Sequence, residues 1–519
     1  MNYKNLTYKK LQEWFEGANF KTKPFKHQLA SMAFAIGESL NRVMFFHGIG
    51  TGKTLVALYL QNLWNVNGRT LVICPNTVIK TWKDQIEEHT DYTYVILKGS
   101  RQDRWNALTT KHADIWIINY EGLQCIGSDI KNTKNRKGKP VRKHTLNSAY
   151  AKSLGFECVI ADECHKLKDS FSLQAKIAGS FSKYARYSIL MTGTPISRSL
   201  SDIFGEYLVL DLGKTFGACF VNFRDYYFYE NPKKMYDWLP KRICSHCSAL
   251  YSNKIEHLKT HNMTFEQYHK KYLNKEMTSE DLILAAILNT SLRYSRDECV
   301  GLPERVYEIK EVGLTEEQTF VMRKIILGLN IDKLNEITIP YHTQKMVQIT
   351  SGFILKEGVV VYEFTPNPKL IELEEILEQV EGKFIIYHQY IHEYKMISTL
   401  LKKMRIKHEL INGSVKNKEE RIDAFIKNND CKGLIAHPRS GGEGLNLQVA
   451  NTSIFYSNGY IGNILREQAE GRTHRTGQKN VCVYIDIVMK DTIDYILYMS
   501  LKHNTSYVKG ILDYIKNYK

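Results

Sequence analysis

A short apolar run, Val43–Phe46, empties into His47-Gly-Ile-Gly-Thr-Gly-Lys-Thr54 and then into the helix-forming LVALYLQNLW. A strand that feeds a helix through a glycine loop must return to a parallel neighbour, so this junction predicts one βαβ repeat of a parallel sheet. Four further β-branched runs follow at helix-length intervals: Leu71–Cys74, Ile115–Ile118, Val159–Ala161 and Ser188–Met191. Each ends in a loop with Gly, Pro, Asp or Asn, and continuous apolar strands of this kind are covered on both faces. The pattern returns as Phe384–Tyr387, His408–Ile411, Gly433–Ala436, Ser453–Tyr456 and Val481–Ile487. The expected fold class is α/β, with two parallel-sheet lobes. Ligands of open parallel sheets bind beyond the carboxyl ends of the strands, where the polar motifs sit.

The first lobe is expected over 1–212 and the second over 361–519. Residues 213–300 are rich in Tyr, Lys and His and lack the alternation, so they read as an insertion, helical and containing a metal motif. Residues 301–360 read as a return to the first lobe through the strand VYEIKEV (306–312), followed by a mostly helical connector over 315–360. A second insertion, KNTKNRKGKPVRK (Lys131–Lys143), reads as a solvated loop, with contact to phosphate as the alternative. No internal repeat is visible beyond the doubled α/β pattern.

Phosphate binding requires inward-pointing backbone amides, a helix N-terminus, a lysine for the outer phosphates and a hydroxyl for Mg²⁺. Gly48, Gly50, Thr51 and Gly52 supply the loop, Lys53 the charge and Thr54 the Mg²⁺ ligand. His47 stands where the strict pattern has Gly. A later strand ends in Asp162-Glu163-Cys164-His165. There Asp162 suits Mg²⁺, held through water, and Glu163 suits the attacking water. Two buried carboxylates without a metal repel each other, so a purely structural role is costly. ATP and Mg²⁺ are the implied cofactors.

Lys plus Arg number 71 against 55 Asp plus Glu, a formal charge of +16. Such a surplus favours a polyanionic partner, because phosphate contacts release condensed counterions. No run of about 18 apolar residues is present, which argues against a membrane span. The polar N-terminus MNYKNLTYKKLQEWFEG does not fit a secretory signal. Eight of the ten cysteines are scattered singly, as reduced core residues of a cytoplasmic protein would be.

In order along the chain, the motifs resemble those of superfamily-two helicases, with the SWI/SNF-like branch most similar. The residues are FKHQ (25–28), GIGTGKT (48–54), LVICPNTVIKTWKDQI (71–86), INYE (118–121), DECHKLKDSFS (162–172), LMTGTP (190–195) and SLRYSRDECVGLPERVYEI (291–309). KFIIYHQY (383–390), LINGSVKNKEER (410–421), RSGGEGLNLQVA (439–450) and QAEGRTHRTGQ (468–478) follow. The resemblance implies two RecA-like lobes and an adenine-reading role for Gln28. It also implies γ-phosphate contacts from Arg472 and Arg475, with Gln468 and Gly444 lining the same cleft. Thr192 and Thr194 are expected to couple nucleotide state to the lobes. Pro438 replaces a usual Thr at a backbone-contacting position, and Gly471 replaces a common Asp.

Within the insertion, Cys244 and Cys247 precede His257 and His261 as Cys-x2-Cys-x9-His-x3-His. Two thiolates on a tight turn and two imidazoles on one helix face suit tetrahedral Zn²⁺. The segment 244–273 resembles the Ros/MucR-type bacterial finger, which implies DNA contact, while a structural zinc clip is the alternative reading.

The expectation is an ATP-dependent motor on double-stranded DNA that displaces or remodels a bound protein. Two alternatives are a strand-separating helicase on DNA or RNA, and a sequence-specific zinc-finger regulator with an ATPase switch.

Overall fold

The computed structural model describes residues 2–134, 140–193, 200–232, 238–244, 250–252, 278–296, 298–299, 302–328, 339–413, 415, 417–439, 445–458, 462–475 and 477–503. The chain divides into two units, Met1–Val300 and Gly301–Lys519.

The first unit is built on β1 (Arg42–His47), β2 (Arg69–Cys74), β3 (Tyr94–Ile96), β4 (Ile115–Asn119), β5 (Phe156–Asp162), β6 (Tyr187–Met191) and β7 (Ser291–Tyr294). They form one sheet in the order β7-β1-β6-β5-β2-β4-β3, and every pairing is parallel. The apolar strands are buried because helices cover both faces, as their unbroken hydrophobicity requires. The order decides the site. β6 lies between β1 and β5, so the carboxyl ends carrying the glycine loop, Thr192 and Asp162 are neighbours.

The second unit repeats the plan with β8 (Arg305–Val312), β9 (Phe384–Tyr387), β10 (Lys407–Ile411), β11 (Cys431–Ala436), β12 (Thr452–Phe455) and β13 (Cys482–Met489). The order is β8-β13-β12-β9-β11-β10, again wholly parallel.

Three expectations are corrected. The strand at 306–312 does not return to the first lobe: β8 pairs with β13 from Arg305↔Cys482 to Val312↔Met489. Its mixed polar and apolar residues suit an edge strand but carry no information about which sheet it joins. The helices Glu316–Leu327 and Ile339–Thr350 likewise belong to the second unit, where Met322, Ile326, Met346 and Ile349 pack with Ile493 and Leu497. The segment 213–300 is not wholly apart from the first lobe. Phe216, Phe223 and Phe228 enter that lobe's core, and β7 is the sheet edge beside β1. Finally, the described parts of 131–143 are strand rather than loop. Ser128–Lys134 and Pro140–Leu146 pair as an antiparallel ribbon, with Lys131 opposite Lys143.

Among the described residues, no helix is long and apolar enough to cross a membrane.

Candidate nucleotide site

The helix Lys53–Leu63 starts from Gly52 in the left-handed region (φ 78°, ψ 35°), with no side chain capping its N-terminus. Its first amides are therefore available to an anion. Gly50 also has positive φ (80°). The positive φ at position 52 favours glycine, and a Cβ there would press on Gln28 Nε2 at 2.2 Å and displace that amide. Gln28 is buried, and its Oε1 accepts from the Phe25 amide at 2.8 Å. Its Nε2 donates to the carbonyls of Thr51 and Gly52 at 3.3 and 3.4 Å. Lys53 Nζ donates to the carbonyls of His47 (2.9 Å) and Gly48 (3.2 Å), which holds the ammonium across the loop. The Thr51 hydroxyl closes the turn onto the Gly48 carbonyl at 2.8 Å.

His47 explains its own departure from the pattern. Its Nδ1 accepts from the Tyr294 amide of β7 at 3.2 Å, which leaves the proton on Nε2, 2.8 Å from Ser31 Oγ. The Ser31 hydroxyl donates to the His27 carbonyl at 2.7 Å. The ring joins three elements where glycine would leave a gap. Burial, followed by the nearby Lys53 charge, pushes its pKa well below the usual histidine range, so it is neutral.

The two carboxylates lie beyond β5. Asp162 Oδ2 accepts from Trp82 Nε1 at 2.9 Å, and its Oδ1 accepts from the Glu163 amide at 3.0 Å. Tyr120 donates to the Asp162 carbonyl at 2.7 Å. Burial, then the Glu163 charge, raises the Asp162 carboxyl to about 6 against the pull of Lys53 and Trp82. Glu163 sits at φ 53°, a strained conformation for a residue with a side chain. Burial opposes its ionisation, but His165, Lys53 and Thr192 outweigh burial and hold it below the usual carboxylate range. Glu163 Oε2 lies 3.3 Å from His165 Nδ1 and 3.4 Å from the Thr192 hydroxyl. This mutual repulsion of buried carboxylates beside a lysine is what a bound divalent cation relieves, so Asp162 with Thr54 fits Mg²⁺.

In the second unit, Gln468 lies on the helix Gly462–Glu470. Arg472 is buried and donates to the Pro438 carbonyl at 2.6 Å. Arg475 donates to the Leu445 carbonyl at 3.2 Å, and burial lowers its pKa from the ordinary guanidinium value. The segment after Glu470 leaves the helix, so Arg472 and Arg475 do not share a helical face. The peptide carbonyl at Pro438 is engaged by Arg472, a contact independent of the side chain at that position.

Gly444, Thr194, Cys247, His257 and His261 lie outside the described residues. Cys244, the remaining zinc candidate, is buried after the short strand Arg242–Ile243. Among the described residues no group of three or more His, Cys, Asp or Glu is placed to hold a metal ion.

Sequence reasoning did not assign Trp82, Tyr120 or His165. Trp82 was legible only as an apolar position, with Val78 and Ile86 at four-residue spacing.

Two family models match the chain: the SNF2-related domain over residues 27–236 and the helicase conserved C-terminal domain over residues 368–477. The chain thus matches an SNF2-related domain followed by a helicase conserved C-terminal domain. With them it is an ATP hydrolase. It is 23% identical over 486 residues to the "Uncharacterized ATP-dependent helicase YqhH" of Bacillus subtilis, covering 91% of this chain and 76% of that protein. It is 21% identical over 530 residues to the "Protein CHROMATIN REMODELING 19" of Arabidopsis thaliana, covering 90% of this chain but 65% of the plant protein. The solved "Sulfolobus solfataricus SWI2/SNF2 ATPase core in complex with dsDNA" matches at 18% identity and a TM-score of 0.39, over 93% of this chain and 92% of that one.

Proposed function

We propose that this SNF2-type ATPase couples hydrolysis of ATP to ADP and phosphate to movement along double-stranded DNA. The observation that carries the chemistry is the adjacency of β1, β6 and β5. It brings the uncapped helix and Lys53 to the Asp162–Glu163 pair. Lys53 and the loop amides bind the phosphates, and Gln28 contributes to the adenine side. Thr54 and Asp162 hold Mg²⁺, which when bound neutralises phosphate charge and orients the oxygens. Glu163, kept ionised by Lys53, His165 and Thr192, accepts a proton from the attacking water. Arg472 and Arg475, with Gln468 and Gly444, act on the charge that develops during phosphoryl transfer. The +16 charge and the relatives named for chromatin remodelling or DNA binding support DNA as the partner.

The test is the ATPase rate without nucleic acid and with single-stranded DNA, duplex DNA or RNA, alongside Lys53→Ala. Stimulation by duplex DNA that is absent in Lys53→Ala supports the reading. Stimulation by single strands or RNA alone replaces it with a strand-separating helicase.

The proposed zinc site rests on its donor set alone. Metal analysis of the purified chain should return about one Zn²⁺ per molecule, falling sharply in Cys247→Ser.

A further inference from the structure

The ribbon Ser128–Lys134/Pro140–Leu146 lies between the helices Leu123–Gly127 and Ser148–Leu154 of the first unit. Seven of the thirteen residues from Lys131 to Lys143 are Lys or Arg, and none is acidic. The paired strands, without the turn, already carry Lys131, Lys134, Arg142 and Lys143. Lys131 and Lys143 are exposed and directly opposite each other in the register. Like charges facing across a ribbon repel, and among the described residues neither lysine has an acidic partner.

The ribbon's own acid is committed elsewhere. Asp129 Oδ2 accepts from Asn147 Nδ2 at 2.9 Å, and its Oδ1 accepts from the Tyr150 hydroxyl at 2.7 Å. Both bonds fasten the base of the ribbon. Ser128 adds a bond to the Gln124 carbonyl at 2.6 Å and lies 3.0 Å from His144 Nδ1. The Asn147 amide donates to the Gly127 carbonyl at 3.0 Å. A Cβ on Gly127 would meet Ile177 Cγ2 at 2.2 Å, so the ribbon leaves from a point packed tightly on the core. A firmly rooted arm whose facing Lys131 and Lys143 have no acidic partner among the described residues is organised for an external polyanion. A two-stranded ribbon is also one of the shapes that the major groove of duplex DNA admits.

We propose that this ribbon is a DNA-gripping arm whose lysines and arginine contact backbone phosphates of the duplex, a role resting on the motor reading above. It sets grip strength and leaves the nucleotide chemistry untouched.

The test uses the full chain with two variants. One carries Lys131→Gln and Lys143→Gln; the other adds Lys134→Gln and Arg142→Gln. Binding to a duplex oligonucleotide is measured across a potassium chloride series, and ATPase activity across a DNA titration. The slope of log affinity against log salt should become shallower by about 0.9 for each phosphate the arm no longer neutralises, or about 1.8 for the double variant. The DNA concentration for half-maximal stimulation should rise several-fold. The DNA-free rate and the rate at saturating DNA should hold, and the DNA-free rate also reports an intact fold. If duplex DNA stimulates the wild type but both variants keep its salt slope and half-stimulation point, the arm is overturned and the motor reading stands. If duplex DNA does not stimulate the wild type, the motor reading fails and the assigned partner of the arm fails with it. If the variants lose affinity only for single-stranded RNA, the duplex assignment is overturned.

Discussion

His47 and Trp82 hold the nucleotide site in shape from opposite sides, and neither role follows from the motif that contains it. His47 occupies a glycine position because it spans from Ser31 to the Tyr294 amide. Replacing it with glycine restores the strict phosphate-loop pattern but removes two buried hydrogen bonds and a ring. His47→Gly should therefore cost about 2–4 kcal/mol of stability. A urea unfolding series reads the loss, and a nucleotide titration should show binding retained. Unchanged stability would contradict the bridging role. Trp82 presents its indole N–H to Asp162 Oδ2 at 2.9 Å. Groups that orient a metal-bound carboxylate are commonly worth about 10–100-fold in metal affinity or activity. Trp82→Phe, which keeps the apolar ring, should shift the Mg²⁺ dependence of ATP hydrolysis by that order, and an unshifted Mg²⁺ titration would remove Trp82 from the site. The loop, Lys53 and the Asp162–Glu163 pair were legible because their spacing follows local backbone chemistry. Trp82 was not, because only the pairing of β2 with β5 brings residues eighty positions apart into contact.

Strands whose apolar pattern is continuous were read with nearly their observed bounds, while the edge elements β3, β7 and β8 were missed or misplaced. β8 has no buried position, only exposed and half-buried ones, and such a strand takes its sheet from tertiary partners rather than from its own residues. The basic ribbon was read as a loop because its pairing rests on backbone hydrogen bonds and not on an apolar stripe. The adjacent strands β9 and β11 are followed directly by His388 and His437, whose rings lie 5.9 Å apart. Burial lowers both to about 4; at His437 the His388, Arg439 and Arg472 charges add to burial, and Glu393 opposes them. A histidine with a depressed folded pKa leaves stability intact above its unfolded value near 6.5. Stability then falls as pH drops toward 4, because the unfolded chain takes up the proton first. The buried His388 alone accounts for on the order of 3 kcal/mol. Hydrogen exchange of peptides covering Phe384–Tyr387 and Cys431–Ala436 should therefore accelerate between about pH 7 and pH 5 beyond the intrinsic chemical trend. His388→Gln should flatten that dependence, and a wild-type profile that only follows intrinsic exchange would exclude the effect.

At the scale of the whole chain, the doubled α/β pattern was legible because each parallel sheet needs the same apolar runs, and the division of labour follows from it. The first unit carries the phosphate loop and both carboxylates; the second carries Gln468, Arg472 and Arg475. Binding and hydrolysis should then separate by mutation. Lys53→Ala removes the cation that the loop itself supplies, so both nucleotide affinity and turnover should fall. Arg475→Ala leaves the first unit untouched, so Mg²⁺–ATP should still bind, as read with a fluorescent ATP analogue. Duplex-stimulated turnover should drop on the order of a thousandfold, the scale of an arginine that stabilises transition-state charge. Arg472→Ala should lower turnover too, with a loss of stability besides, because its buried guanidinium also holds the Pro438 carbonyl. If Arg475→Ala weakens ATP binding as much as turnover, the arginine contributes ground-state affinity instead. If neither quantity changes, the charge that completes the reaction comes from another residue, and the resemblance in GRTHRTGQ does not extend to its chemistry.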